Sequence, residues 1–93
     1  MAHLAKKEIL LVLAEISGWI LRGNEIRKKF VFADFARAIG FVNSVALYAE
    51  RANHHPDIDI RWNTITLSLS THSEGGITEK DISLAKRIDT LAG

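Results

Sequence analysis

The chain has 93 residues, 47% of them hydrophobic, which fits one domain spanning 1–93 around one core. Twelve Lys+Arg against eleven Asp+Glu give a formal charge of +1, so the basic footprint that a nucleic-acid backbone selects is absent. Having no cysteine excludes a disulfide framework, a thiolate nucleophile and a thiolate zinc site, and suits a reducing compartment.

The first apolar run, "ILLVLA", is too short to span a bilayer and has Glu8 and Glu15 close by, so neither a membrane helix nor a signal peptide is expected and the cytoplasm is the expected location. Within residues 4–16, Ala5, Ile9, Val12 and Ile16 recur at helical spacing, widened by Leu10 and Leu13, until Ser17-Gly18 ends the pattern. From Trp19 to Phe32 the pattern is that of a hairpin turning at Gly23-Asn24, with Ile26, Lys28, Phe30 and Phe32 alternating with Arg27, Lys29 and Val31. Asp34 is placed to cap a long second helix, whose apolar stripe is Phe35, Ala38, Ile39, Val42, Ala46 and Ala49 and which must finish before Pro56.

A second hairpin follows. Ile58, Ile60 and Trp62 alternate with Asp59 and Arg61, and after a turn near Asn63 the set Ile65, Leu67 and Leu69 alternates with Thr64, Thr66, Ser68 and Ser70. Gly75-Gly76 breaks the chain, and Thr78 caps a third helix with Ile82, Ala85, Ile88 and Ala92 on its buried side. Short-looped hairpins imply antiparallel pairing. The expected fold is therefore a two-layer α+β domain of order α-β-β-α-β-β-α, a four-stranded antiparallel sheet with three helices on its one apolar face.

Three histidines stand out: His54 and His55 at the exit of helix two, and His72 after the last strand, which should return close to them; His3 lies at a terminus expected to fray. Taken alone, Asn-His-His-Pro can be a polar way out of a helix, because imidazole interacts favourably with a helix's negative end. Metal ligation is a sharper alternative, although neighbouring side chains point apart and no HExxH pair exists. Imidazoles can also give and take protons near neutrality without a metal. Glu50 lies four residues before His54, hence on the same helix face. Asp81 occupies the third position after the Thr78 cap, where an acid stabilises a helix start and can still face a pocket. Trp19 and Trp62 belong to strands, where tryptophan is more often core, yet a flat heteroaromatic ligand needs an aromatic wall, and Trp19 is the candidate for it.

The stretch "ERANHHPDIDIRWNTITLSLSTHSEGGITEKDISLA" resembles the signature region of the pterin-4a-carbinolamine dehydratases, with Glu50, His54, His55, Pro56, Trp62, His72 and Asp81 on the matching positions. "GW" at 18 and 19, "FVFADFARAIGFV" and "ALYAE" extend the likeness over nearly the whole chain. The resemblance implies a hydro-lyase that removes water from 4a-hydroxytetrahydrobiopterin and so recycles the pterin of an aromatic amino acid hydroxylase, its functional partner. It implies catalysis with no metal and no bound cofactor, and a homodimer or homotetramer. It also implies that His54 and His72 act as acid and base, His55 mainly holds the pterin, Glu50 bonds in the pocket, and Asp81 orients a histidine or lines the site. Two other readings use the same residues: a metal-dependent hydrolase ligated by the three histidines, and a non-catalytic module that binds pterin or protein.

Overall fold

A computed structural model describes residues 3–93 and opens with helix α1 (Lys6–Leu13). It is shorter than the apolar periodicity of 4–16 suggests, because the amides of Glu15 and Ile16 bond three residues back, to Val12 and Leu13, and tighten the chain into turns. Gly18 then reverses direction at φ +92°, with Lys28 so close that a Cβ would lie 2.8 Å from its Cε. His3 is exposed, as a terminal residue should be, but the adjoining chain is tied down: the Leu4 amide donates to the Ile77 carbonyl at 2.7 Å.

Strands β1 (Ile20–Arg22) and β2 (Glu25–Val31) form the expected hairpin, and β3 (Asp57–Arg61) and β4 (Thr64–Leu69) form the second. All neighbours are antiparallel in the order β1-β2-β4-β3, and the seam between hairpins sets Ile26 opposite Leu69 and Phe30 opposite Ile65. That register puts Ile26, Phe30, Ile65, Leu67 and Leu69 on one face, all buried, while Arg27, Lys29, Thr66 and Ser68 share the other. The three helices cover the apolar face. Ile9 of α1, Phe41 and Val45 of α2 (Phe35–Ala52), and Ile82, Ala85 and Ile88 of α3 (Glu79–Ala92) close a single core.

Three details differ from the periodicity. The buried stripe of α2 is Ala38, Phe41, Val45 and Ala49, so Phe35 and Ala46 are exposed and the helix is rotated toward the larger Phe41 and Val45. Ile58 and Ile60 share the core-side face but keep 36% and 43% of their surface, because β3 is the edge strand and the helices do not reach over it. Trp62 is not a strand residue: β3 ends at Arg61, and Trp62 sits in the turn at φ +51°, 68% exposed. Asn63 fixes that turn, since its side-chain amide donates to the Phe32 carbonyl and its own carbonyl accepts from the Phe32 amide. No described helix is long and apolar enough to cross a membrane.

Candidate active site

The end of α2 decides where the histidines go. Asn53 adopts the left-handed conformation, φ +52° and ψ +42°, which asparagine tolerates better than most residues. Its amide bonds Glu50 and the His54 amide bonds Ala49, so the helix closes in a Schellman arrangement and Pro56 prevents any continuation. This reversal lifts His54 off the face to which four-residue spacing assigned it. Glu50 therefore pairs with His55, not with His54: Nε2 of His55 lies 2.5 Å from Oε2 of Glu50, both side chains largely exposed.

His54 turns inward. Its side chain is 12% exposed, and its Nε2 lies 2.6 Å from Oδ1 of Asp81, which is fully buried. Asp81 sits at the third position of α3, where its Oδ2 accepts from the Thr78 amide at 2.9 Å and from the Thr71 hydroxyl at 2.7 Å. The carboxylate thus stabilises the helix start and holds an imidazole at once. No described residue bonds Nδ1 of His54.

β4 stops at Leu69, before strand parity can aim His72, and residues His72–Glu74 form a short 3-10 turn closed by Gly75 at φ +71°. His72 is still delivered to its partners. A cavity of about 300 Å³ is lined by Asn53, His54, His55, Ser70, Thr71, His72, Ser73 and Lys80. The three histidines thus converge, with Asp81 behind His54 and Glu50 outside beside His55. Trp19 is not brought there: it is 3% exposed in the core, and its indole N–H donates to both oxygens of Asp89, at 3.0 and 3.1 Å. Among the described residues no three His, Asp or Glu side chains are grouped so as to hold a metal ion.

Lys80, Ser70 and Ser73 line the cavity without having been singled out by the sequence, and Thr71 and Thr78 bond Asp81 beneath it. Thr71 is flagged only by its place before His72, and Lys80 by its place after a helix cap. Neither position carries a pattern of its own.

The arrangement combines one imidazole fixed by a buried carboxylate, a second on an exposed turn across the cavity, a third at the rim, and one cationic side chain. Such a set can move protons to and from a ligand of modest size. Residues 2–91 match the family model of pterin 4 alpha carbinolamine dehydratase. A relative from Roseiflexus sp. strain RS-1, provisionally named a pterin-4-alpha-carbinolamine dehydratase, is 53% identical over 96% of each chain. The crystal structure of a transcriptional coactivator/pterin dehydratase from Brucella melitensis superposes with a TM-score of 0.92 at 38% identity, covering 98% of this chain and 99% of that one. A pterin dehydratase-like protein identified as a RuBisCO assembly factor in the alpha-carboxysome shares the fold, with a TM-score of 0.71 over 84% of this chain and 93% of its own at 23% identity.

Proposed function

The chain belongs to the pterin 4 alpha carbinolamine dehydratase family, and from that premise we propose that it dehydrates a 4a-hydroxytetrahydropterin to the quinonoid dihydropterin. The observation that carries this reading is the Nε2 of His54 held at 2.6 Å by a fully buried Asp81, on a cavity shared with His72. An ionised carboxylate only accepts hydrogen bonds, so Nε2 carries the proton and Nδ1 offers the lone pair of a base. His54 removes the proton from N5 of the pterin, and the N5 electron pair forms the double bond to C4a. The C4a–O bond breaks as His72, whose ring bonds no side chain among the described residues, gives a proton to the departing hydroxyl. Water leaves, and one proton passing from His54 to His72 through solvent resets the pair.

In this reading His55, which lines the cavity, and Glu50, bonded to it, engage the pterin as it enters. The product recycles the cofactor of an aromatic amino acid hydroxylase in the cytoplasm. Assembly is part of the same reading: β3 is an unpaired edge bearing the partly exposed Ile58 and Ile60, with Trp62 beyond it, and a homodimer or homotetramer would cover such a surface.

The test is a stopped dehydration assay in the presence of chelator. Wild-type protein should accelerate dehydration far beyond free imidazole, and His54→Ala and His72→Ala should each lower turnover by roughly 10²- to 10⁴-fold, the usual effect of losing a positioned acid or base. Full activity in both folded variants, or a rate that vanishes in chelator and returns with zinc, would refute the assignment.

A further inference from the structure

Thr71 is 6% exposed and makes two kinds of connection. Through its backbone it anchors the turn that carries His72: its amide donates to the Gly76 carbonyl at 2.9 Å, and its carbonyl accepts from the Glu74 amide at 2.9 Å and the Gly76 amide at 3.4 Å. Through its hydroxyl it reaches Asp81 Oδ2 at 2.7 Å and Thr78 Oγ1 at 2.8 Å.

The hydroxyl has one hydrogen, and its destination is decidable. If Thr71 gave it to Thr78, its oxygen and that of the Asp81 carboxylate would face each other with lone pairs at 2.7 Å in a buried space. The hydrogen therefore goes to Asp81, and Thr78 in turn donates to Thr71 while accepting from the Lys80 amide at 3.2 Å. A directed chain runs from Thr78 through Thr71 to Asp81, which receives Nε2–H of His54 on its other oxygen. No other described residue touches both arms of the site in this way: the turn of His72 by its main chain and the anchor of His54 by its side chain.

We propose that Thr71 is a positioning residue that sets the two reacting imidazoles relative to each other and fixes the tautomer of His54. The inference rests on the acid/base reading above. Its test compares Thr71→Val, which removes the donor with little change of shape, and Thr71→Ser, which keeps it. Imidazole ¹⁵N spectra of the full chain, taken where the rings are neutral, report the tautomer without any substrate. Kinetics with a 4a-hydroxytetrahydropterin report kcat and KM separately.

Wild-type and Ser proteins should hold His54 with the proton on Nε2; in Val the Asp81 carboxylate loses one of the two donors that fix its plane at Oδ2, turns off Nε2, and a mixture with the Nδ1–H form should result. In Val, kcat should fall roughly 10- to 100-fold, the scale of a sub-ångström to ångström misplacement. KM should change less than kcat, because Thr71 lines the cavity but the ligand-holding His55 and Glu50 are untouched, and Ser should keep kcat within about three-fold of wild type. A Val protein with wild-type tautomer and kcat overturns the proposal, and so does a Ser protein as slow as Val. Should Val fail to fold, the remaining arms decide: an Nδ1–H tautomer in the wild type, or loss of kcat in Ser, overturns it. If no protein dehydrates the pterin yet Val still loses the tautomer, the acid/base reading falls and the positioning role stands.

Discussion

Asp81 and Asp89 stand on the same helix, about two turns and ~12 Å apart, and each gathers side chains from distant parts of the chain. Asp89 receives the indole N–H of Trp19 and the ammonium of Lys28 at 2.9 Å, and Lys28 also bonds the Ser17 carbonyl at 2.8 Å. Indole N–H and ammonium are donors only, with no lone pair to offer, so this end of α3 is a clamp joining the 17–19 turn, β2 and the helix. Asp81 receives a hydroxyl, a backbone amide and an imidazole. Only the imidazole can exchange its proton near neutrality. A carboxylate with several partners is therefore no sign of a site in itself; what matters is whether one of its donors has a second, reactive atom facing open space.

The sharpest break in that comparison comes from removing each aspartate in turn. Asp81→Ala leaves the Thr71 hydroxyl and the Thr78 amide without an acceptor in a buried region and releases His54. It should cost roughly 1–3 kcal/mol of stability and lower turnover at least 10-fold, as read from urea midpoints and the dehydration assay. Asp89→Ala should cost about 1 kcal/mol, discounted because Lys28 and Asp89 keep 20% and 26% of their side-chain surface, and should leave turnover within about two-fold. Equal losses of turnover in the two variants would end the distinction between clamp and site.

A smaller effect tests the same contrast between neighbours. His55 is paired with a carboxylate too, but both partners are exposed, at 55% and 77%, so the pair contributes little to stability. His55→Ala should leave the urea midpoint unchanged and raise KM several-fold while kcat changes less. A loss of kcat matching that of His54→Ala would move His55 from holding the ligand to reacting with it.

The fold was largely legible because its signals are periodic. Both hairpins, the caps at Asp34 and Thr78 and the order of elements follow from alternation, turn residues and helical spacing, and each is found in place. Where spacing was extended past the end of an element it failed. Glu50 faces His55 because Asn53 turns the chain left-handed between them; Trp62 leaves β3 for the turn; His72 lies beyond the last paired residue of β4. Convergence of the three histidines was legible from hairpin topology, which needs no side-chain detail. The anchoring of His54 by Asp81, and the part Thr71 and Thr78 play in it, depend on contacts between residues far apart in sequence and have no local pattern. Trp19 was ambiguous for a related reason: core and ligand wall ask for the same aromatic surface, and only the partner of its N–H separates them.

The seam between β2 and β4 has a bearing on how the molecule forms. It joins strands from opposite halves of the chain, with the whole of α2 looped between them, so the entropy of closing that loop is incurred before the seam's contacts can offset it. The proposed acid/base pair and its anchors come from a shorter stretch, the end of α2 through the start of α3, built around a hairpin with a two-residue turn. Contact order is thus high at the centre of the sheet and low around the histidines. The slow step of folding is therefore expected at the central seam, in residues outside the candidate site, so sequence changes there should alter how fast the protein folds while leaving the arrangement of its histidines intact.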